Sequence, residues 1–386
     1  MVKKIVVIIT ITCISLIGNS QKKWSLEKCI KYAFEHNIRI RQQELTAKTE
    51  KNRLLQSKAN LLPNLNANAS QNFNFGRTVD RYTNTFSEDN VSSNSFSVSS
   101  SVTLFNGFQN INAVKQNQLN LLASYEKIEK IKNDIALNIA SAYLQILFNK
   151  ELFEIANNQL QITEQQVERT KVMVEAGSLP RGDLLEIESQ QALEELNVIN
   201  AENQLAISYL SLIQLMDMDS VGDFQIQNPP LIRIDSASVH LMPVTQIFSE
   251  ALTKMPRIKS AEYQLESYER ALAVSKGKRS PSLTMGASYG TGYSNARQIL
   301  SDIQYTGETD FIGYTAGSMD TVLAPVIDYM YEDYEFADQL KDNASTSLYF
   351  SLNIPIFNNY QVRNSIRNTE ISLDNAKYTL ELEKKQ

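Results

Sequence analysis

Residues 64–75 read NLNANASQNFNF, and the way this stretch alternates decides the fold. Leu65, Ala67, Ala69, Phe73 and Phe75 are interleaved with asparagine, a residue that strands usually avoid. A period of two puts the apolar set on one side of a strand and the polar set on the other. A half-buried strand of a soluble sheet has this pattern, with its apolar side against a core. A barrel strand in an outer membrane has it too, with the apolar side against lipid.

Three more segments alternate in the same way. SFSVSSSVTLF, from Ser95, sets Phe96, Val98, Val102 and Leu104 against Ser95, Ser97, Ser99, Ser101 and Thr103. Leu283, Met285, Ala287 and Tyr289 form the next set. Leu348, Phe350, Leu352, Ile354 and Ile356 then alternate with Ser347, Tyr349, Ser351, Asn353 and Pro355. Strands are expected over 65–75, 95–105, 282–290 and 347–356, each about the 9–11 residues that cross a bilayer at a tilt. Four strands cannot close a barrel, and an open edge in lipid costs several kcal/mol for each unpaired backbone group. The chain is therefore expected to lend its strands to an oligomer, three copies giving twelve. A soluble four-stranded sheet packed on helices is the alternative that the strands alone allow.

The rest of the chain reads as helix. Only 13 Gly and 9 Pro punctuate 386 residues, which points to long helices. LEKCIKYAFEHNIRI at Leu26 is repeated by VTQIFSEALTKMPRI at Val244, aligning Ala33 with Ala251, and both copies run to a proline, Pro63 and Pro281. SFSVSSSVTLFNGFQNINAVKQ is repeated by SLYFSLNIPIFNNYQVRNSIRN, aligning Phe105 with Phe357. Each copy reads helix, strand, loop, strand, helix. Helices are expected at 26–62 and 244–280, ending where proline disfavours helical geometry in the residue before it. Ile128, Ile131, Ile135, Ile139, Ala142 and Ile146 mark a long helix over 108–176, roughly 100 Å at 1.5 Å per residue. Together the helices at 26–62 and 183–215 match that length, so two short helices are expected to stack against the long one in a rod with strands at one end. The first repeat is placed at 21–215, a connector at 216–243, and a second repeat at 244–386 that ends in the start of a long helix, 360–386.

The first residues, MVKKIVVIITITCISLIGNS, put Lys3 and Lys4 before an apolar run from Ile5 to Ile17 and then Gly18 and Ser20. That is the layout of a signal peptide, 1–20, too short to span a bilayer. No later stretch nears the eighteen apolar residues of a membrane helix, so strands are the expected means of crossing. The net charge of −6 argues against nucleic acid as a partner. With Cys13 in the signal, Cys29 has no partner for a disulfide and reads as a small apolar residue on a helix.

Motifs that look chemical do not assemble. GASYG, 286–290, matches the nucleophile elbow of hydrolases, but that motif needs a strand-to-helix turn and a histidine after the serine. His36 and His240 both precede Ser288, and neither sits in a cluster of metal-site spacing. Arg181, Gly182 and Asp183 spell an adhesion tripeptide; a turn followed by Asp183 as cap of the next helix accounts for it. From Ser301 to Ser345 ten acidic residues face Lys341 alone. A calcium site there lacks ligand spacing, and scattered acids read as a solvated surface of a long loop, 291–346. No catalytic residue, cofactor or metal site is expected.

The signal, the repeated helix-strand-strand-helix units and the turn VEAGSLPRGDLLEIES resemble the TolC family of outer-membrane efflux proteins from Trp24 to Gln386. WSLEKCIKYAFEHN resembles that family's first helix, LFNGFQNINAV its strand-to-helix corner and AGSLPRGDLL its periplasmic turn. The resemblance implies a mainly α fold with a membrane β part: long helical hairpins forming an α-barrel, and four strands per chain in a trimeric 12-stranded β-barrel. It implies a homotrimer in the outer membrane that takes substrates from an inner-membrane transporter through a periplasmic adaptor. Asn66, Asn68, Asn72, Asn74, Ser97, Ser99 and Ser101 would face the lumen. Phe73, Phe75, Phe96, Val98, Val102, Leu104, Phe350, Leu352 and Ile354 would face lipid. Ala176, Gly177, Ser178, Leu179 and Asp183 would form the periplasmic tip that meets the adaptor, with Asp183 offering a charge for an inter-helix pair. The sequence departs from the family pattern in one respect: the second long helix stops at Gln386 without a tip turn or return helix. A truncated chain is the expectation that follows. A periplasmic adaptor and a surface structural or adhesive protein are the rival readings; the first predicts soluble β-domains, the second binding without conductance.

Overall fold

The computed structural model describes residues 23–79, 84, 86–87, 90–219, 224–229 and 242–386. The expected signal segment, Cys13, His240 and part of the connector lie outside them. The chain divides into two units. One is drawn from within residues 1–53, 117–267 and 374–386, the other from 54–116 and 268–373.

Helices dominate the first unit. The helix expected over 26–62 is two, α1 (Leu26–His36) and α2 (Ile38–Ala59). Ser25 caps α1, its hydroxyl accepting from the Lys28 N–H at 3.2 Å. The break falls at Asn37, whose extended backbone ends α1 and whose Oδ1 accepts from the N–H groups of Arg39 at 2.9 Å and Ile40 at 3.4 Å. Asn37 thus caps the second helix, as short amide side chains do at N-termini. The long helix α3 runs from Gln109 to Glu175 over 67 residues. After the tip turn, α4 (Arg181–Leu215) follows. The helix expected over 244–280 is likewise two, α5 (Val244–Lys254) and α6 (Pro256–Gly277). Met255 is held extended here by the proline after it. At the register that pairs Ala33 with Ala251, Asn37 aligns with Met255, so both repeats break at the same place. The last helix, α8, is Gln361–Lys385.

One stripe of α3 is buried, carrying Ile135, Ile139, Tyr143 and Ile146 at helical spacing, and it packs with Cys29, Ala33, Ile40, Leu212, Met216 and Ile226. Burial pushes the Cys29 thiol up to about 11, despite the opposing charge of Lys28. The described part of the connector docks on this core. Trp24 and Ile226 form a parallel bridge, with the Trp24 N–H on Gln225 O at 2.8 Å and the Gln227 N–H on Trp24 O at 2.9 Å. The Tyr143 hydroxyl lies between the carbonyl oxygens of Trp24, at 3.0 Å, and Gln227. Periodicity alone did not reveal this extended pairing.

In the second unit β1 (Asn66–Asn74) and a short hairpin, β2 (Thr78–Val79) with β3 (Phe86–Ser87), precede β4 (Val91–Phe105). β5 (Ser282–Ser294), β6 (Gln298–Tyr314), β7 (Thr321–Asp333), the helix α7 (Phe336–Asp342) and β8 (Ser345–Asn353) follow. The main sheet is antiparallel in the order β1-β4-β5-β8. Asn64 pins its start, accepting from the Ser101 N–H at 2.8 Å and donating its own N–H to Ser101 O at 3.1 Å.

The stretch read as loop from 291 to 346 is largely ordered structure. β5 continues to Ser294, and β6 pairs with β7 in a hairpin. Its base is clasped by fully buried Gln339, which accepts from the Ser294 N–H at 3.0 Å and donates to Ser294 O at 2.9 Å and Tyr334 O at 2.8 Å. Acidic residues obscured this hairpin by diluting its alternation.

Candidate functional site: a two-faced sheet and a helical tip turn

The register of the sheet sorts its side chains. Asn66 pairs with Ser99, Asn68 with Ser97, Asn72 with Ser93 and Asn74 with Val91. The rows continue as Ser97 with Gly290 and then Ser345, Ser99 with Ser288 and then Ser347, and Ser101 with Gly286 and then Tyr349. One face therefore collects Asn66, Asn68, Asn72, Asn74, Ser97, Ser99 and Ser101, because paired residues in a ladder point to the same side. The hydroxyls of Ser288 and Ser347 are 2.7 Å apart on it.

On the other face Ala67, Val98 and Tyr289 form one row, and Val102, Met285 and Phe350 another. Ala69 and Phe96 pair there, as do Leu283 and Leu352, and Phe73 lies opposite Ser92. Phe73 and Phe350 are more than 60 % exposed, so this chain by itself leaves a broad apolar surface uncovered. Three expected members fall outside the ladder. Phe75 and Ile354 lie one residue past the ends of β1 and β8. Leu104 sits in a bulge between Thr103 and Phe105, and Phe105 takes its place opposite Leu283.

The bulge leads into the strand-to-helix corner, which both repeats build alike. Gly107 and Phe108 have φ of 65° and 60°, and Asn359 and Tyr360 have 50° and 60°. Each corner stacks its rings edge to face, Phe105 on Phe108 at 5.5 Å and Phe357 on Tyr360 at 5.9 Å. Gly107 has a second requirement, since a methyl group there would stand 2.5 Å from Gly277 O.

GASYG lies within β5 and is strand throughout, which removes the turn a nucleophile elbow requires. His36 stacks on Tyr32 at 4.1 Å and its Nδ1 is 2.9 Å from Tyr32 O. Among the described residues no three of His, Cys, Asp and Glu are grouped to hold a metal ion, and no helix is long and apolar enough to cross a membrane.

In the first unit, Ala176, Gly177, Ser178 and Leu179 form the turn between α3 and α4. Gly177 has φ of 76°. Its N–H donates to Val174 O at 3.0 Å and that of Ser178 to Met173 O at 2.9 Å, a Schellman closure that satisfies the last carbonyls of α3. Ala176, Gly177 and Ser178 are exposed and Leu179 half-buried. Asp183 is not the cap that was expected. Pro180 occupies that position, its ring holding the extended backbone the cap needs, and α4 begins at Arg181. Asp183 instead stands exposed in the first turn, where its charge favours the helix N-terminus.

Residues 30–217 match the family described as outer membrane efflux protein. The pyoverdine export outer membrane protein OpmQ of Pseudomonas putida is 24% identical over 179 residues, 46% of this chain and 37% of OpmQ. The chain thus spans well under half the length of that relative. The solved structure of CusC, described in terms of folding and transmembrane channel formation, superposes with a TM-score of 0.70 at 16% identity, covering 93% of this chain and 72% of CusC. The outer membrane protein VceC of Vibrio cholerae gives 0.68 at 16% identity, covering 92% and 74%. Residues 30–217 thus carry the pattern of the outer membrane efflux protein family, and the chain shares the fold of these solved structures.

Proposed function

We propose that this chain is the outer-membrane duct of a tripartite efflux or type I secretion assembly. It would passively export substrates that an inner-membrane transporter delivers through a periplasmic adaptor. The observation that carries this reading is the main sheet. Among the described residues its outer strands β1 and β8 each have one edge without a strand partner, and its faces are polar on one side and apolar on the other. Such a sheet is stable in a bilayer only when closed. Joining β8 of one copy to β1 of the next closes it, and three copies give twelve strands.

In that barrel the asparagine and serine face lines a wet lumen, and the face of Phe73, Phe96, Val98, Val102, Phe350 and Leu352 meets lipid. The turn at Gly177 and Asp183 would be the end that meets the adaptor. The named export role of OpmQ and the channels among the solved neighbours support a conduit and favour no enzymatic role. Pyoverdine belongs to OpmQ, and a lumen lined by serine and asparagine selects little by chemistry.

The test is membrane fractionation of the full chain, followed by crosslinking and planar-bilayer recording. The expected result is an outer-membrane trimer with ohmic conductance. A soluble monomer would refute the duct, and a membrane trimer without conductance would favour the adhesive reading.

A further inference from the structure

The β6–β7 hairpin is sorted by face from Leu300 to Leu323. β7 alternates without a break, and its register partners assign β6. Leu300 pairs with Tyr331, Ile303 with Tyr329, Tyr305 with Ile327 and Phe311 with Leu323, all on one face. From Leu300 to Leu323 that face carries no charge. The other face holds Asp302, Asp310, Asp328 and Glu332, opposite Met330, Ala324, Gln304 and Ile299. The pattern does not come from simple alternation in β6. Irregularities after Leu300 and Phe311 each absorb one residue and so return Ile303 and Tyr314 to that face, while the one after Tyr305 leaves the alternation in phase.

This apolar face is open. Ile303 is 43 % exposed, Phe311 49 % and Tyr305 70 %. A two-stranded ribbon with a bare apolar side is marginal in water, and a continuous exposed patch of this kind marks a contact surface. The base is held firmly by Gln339, so the ribbon extends from the strands of the main sheet.

We propose that this face is covered by the same face of the hairpins of neighbouring copies, with the acidic faces turned outward. The inference rests on the duct reading, because the unpaired edges of β1 and β8 are what bring copies side by side and place their hairpins together. The distribution of charge favours a like partner. No basic residue lies between Gln298 and Asp333, so identical hairpins repel unless their acids point apart, and the register turns Asp302, Asp310, Asp328 and Glu332 away from the apolar face. A basic protein partner would engage the acidic face and leave the apolar one bare.

The test uses the full-length protein in its membrane, with single cysteines placed on each face; native Cys29 is fully buried. F311C and Y329C are expected to join chains through a bismaleimide about 10 Å long, the spacing of packed sheets. D310C and D328C are expected to take up a bulky water-soluble maleimide and to give few interchain products. The proposal is overturned if F311C and Y329C label as freely as the acidic-face variants, crosslink to a different protein, or react mainly with a membrane-partitioning maleimide. A deletion of 298–333 is a second arm. The Tyr334 N–H already bonds Arg297 O at 3.3 Å, so the ends can be joined, and the trimer should then dissociate at a lower temperature. A trimer of unchanged heat stability overturns the hairpin contact alone, whereas a wild-type chain that forms no trimer overturns the duct and the contact with it.

Discussion

The ring of Tyr349 lies across the backbone of Gly286, so close that a methyl group on that glycine would stand 2.2 Å from Cζ. The two residues are register partners on the polar face of β5 and β8. In G286A the ring must swing off the sheet, at about 1 kcal/mol or more for the overpacked contact. Y349A removes the obstacle, so adding G286A to it should cost almost nothing. A double-mutant cycle on thermal unfolding in detergent reads the coupling; additive losses would show that the ring does not rest there.

Two glycines, one in the turn between α3 and α4 and one just after it, should respond in opposite ways. Neither meets another atom within 4 Å of an added methyl, so packing does not enter. Gly177 has a positive φ, and G177A should cost about 1 kcal/mol of backbone strain. Gly182 lies inside the first turn of α4, and G182A should gain roughly 0.5–1 kcal/mol from helix propensity. Chemical denaturation of the two variants side by side checks the sign. On the duct reading, a cysteine at Ser178 should also crosslink to the adaptor, and labelling from outside intact cells would refute that placement.

Asn37 has two tasks. Its oxygen caps α2, and its Nδ2 donates to Leu215 O at 3.1 Å. N37A should cost about 1–2 kcal/mol. N37D keeps the cap and loses the donor, so its unfolding midpoint should fall between those of wild type and N37A.

Acid should weaken the anchoring of α8. Burial alone would raise the Glu383 carboxyl, but hydrogen bonds from Arg257 and Lys130 outweigh it and hold the group below its ordinary value of 4.5. The contacts are 2.7 Å and 3.3 Å. A carboxyl lowered in the folded state contributes stability that is complete above its unfolded value and lost as pH falls through the folded one. E383Q should therefore be less stable than wild type at pH 7, and the gap should close as pH drops below about 4. A gap that stays constant with pH would rule out this linkage.

The helical segments, the two-faced strands and the turn after Glu175 were legible because each rests on a local rule: period 3.6, period two, or a glycine after a helix. The sheet order was not, since alternation says which side a residue faces and nothing about its neighbours. The bulge that leaves Leu104 without a register partner was not legible, because it shifts register without a mark in the sequence. The break at Asn37 was hidden inside strong helical periodicity, although the aligned Met255 before Pro256 carried the signal. Aspartate favours the cap position, but the proline three residues before Asp183 already fixes where the helix begins.

The break between the paired helices of each repeat has one further implication. At Asn37 a side-chain oxygen redirects the chain, and at Met255 a neighbouring ring does so. Two unrelated chemistries that produce one bend at matching places indicate that the bend answers to what surrounds it rather than to either residue. The two devices should then be interchangeable: a chain carrying proline after Asn37, or asparagine at Met255 with Pro256 removed, should keep its joint where it is.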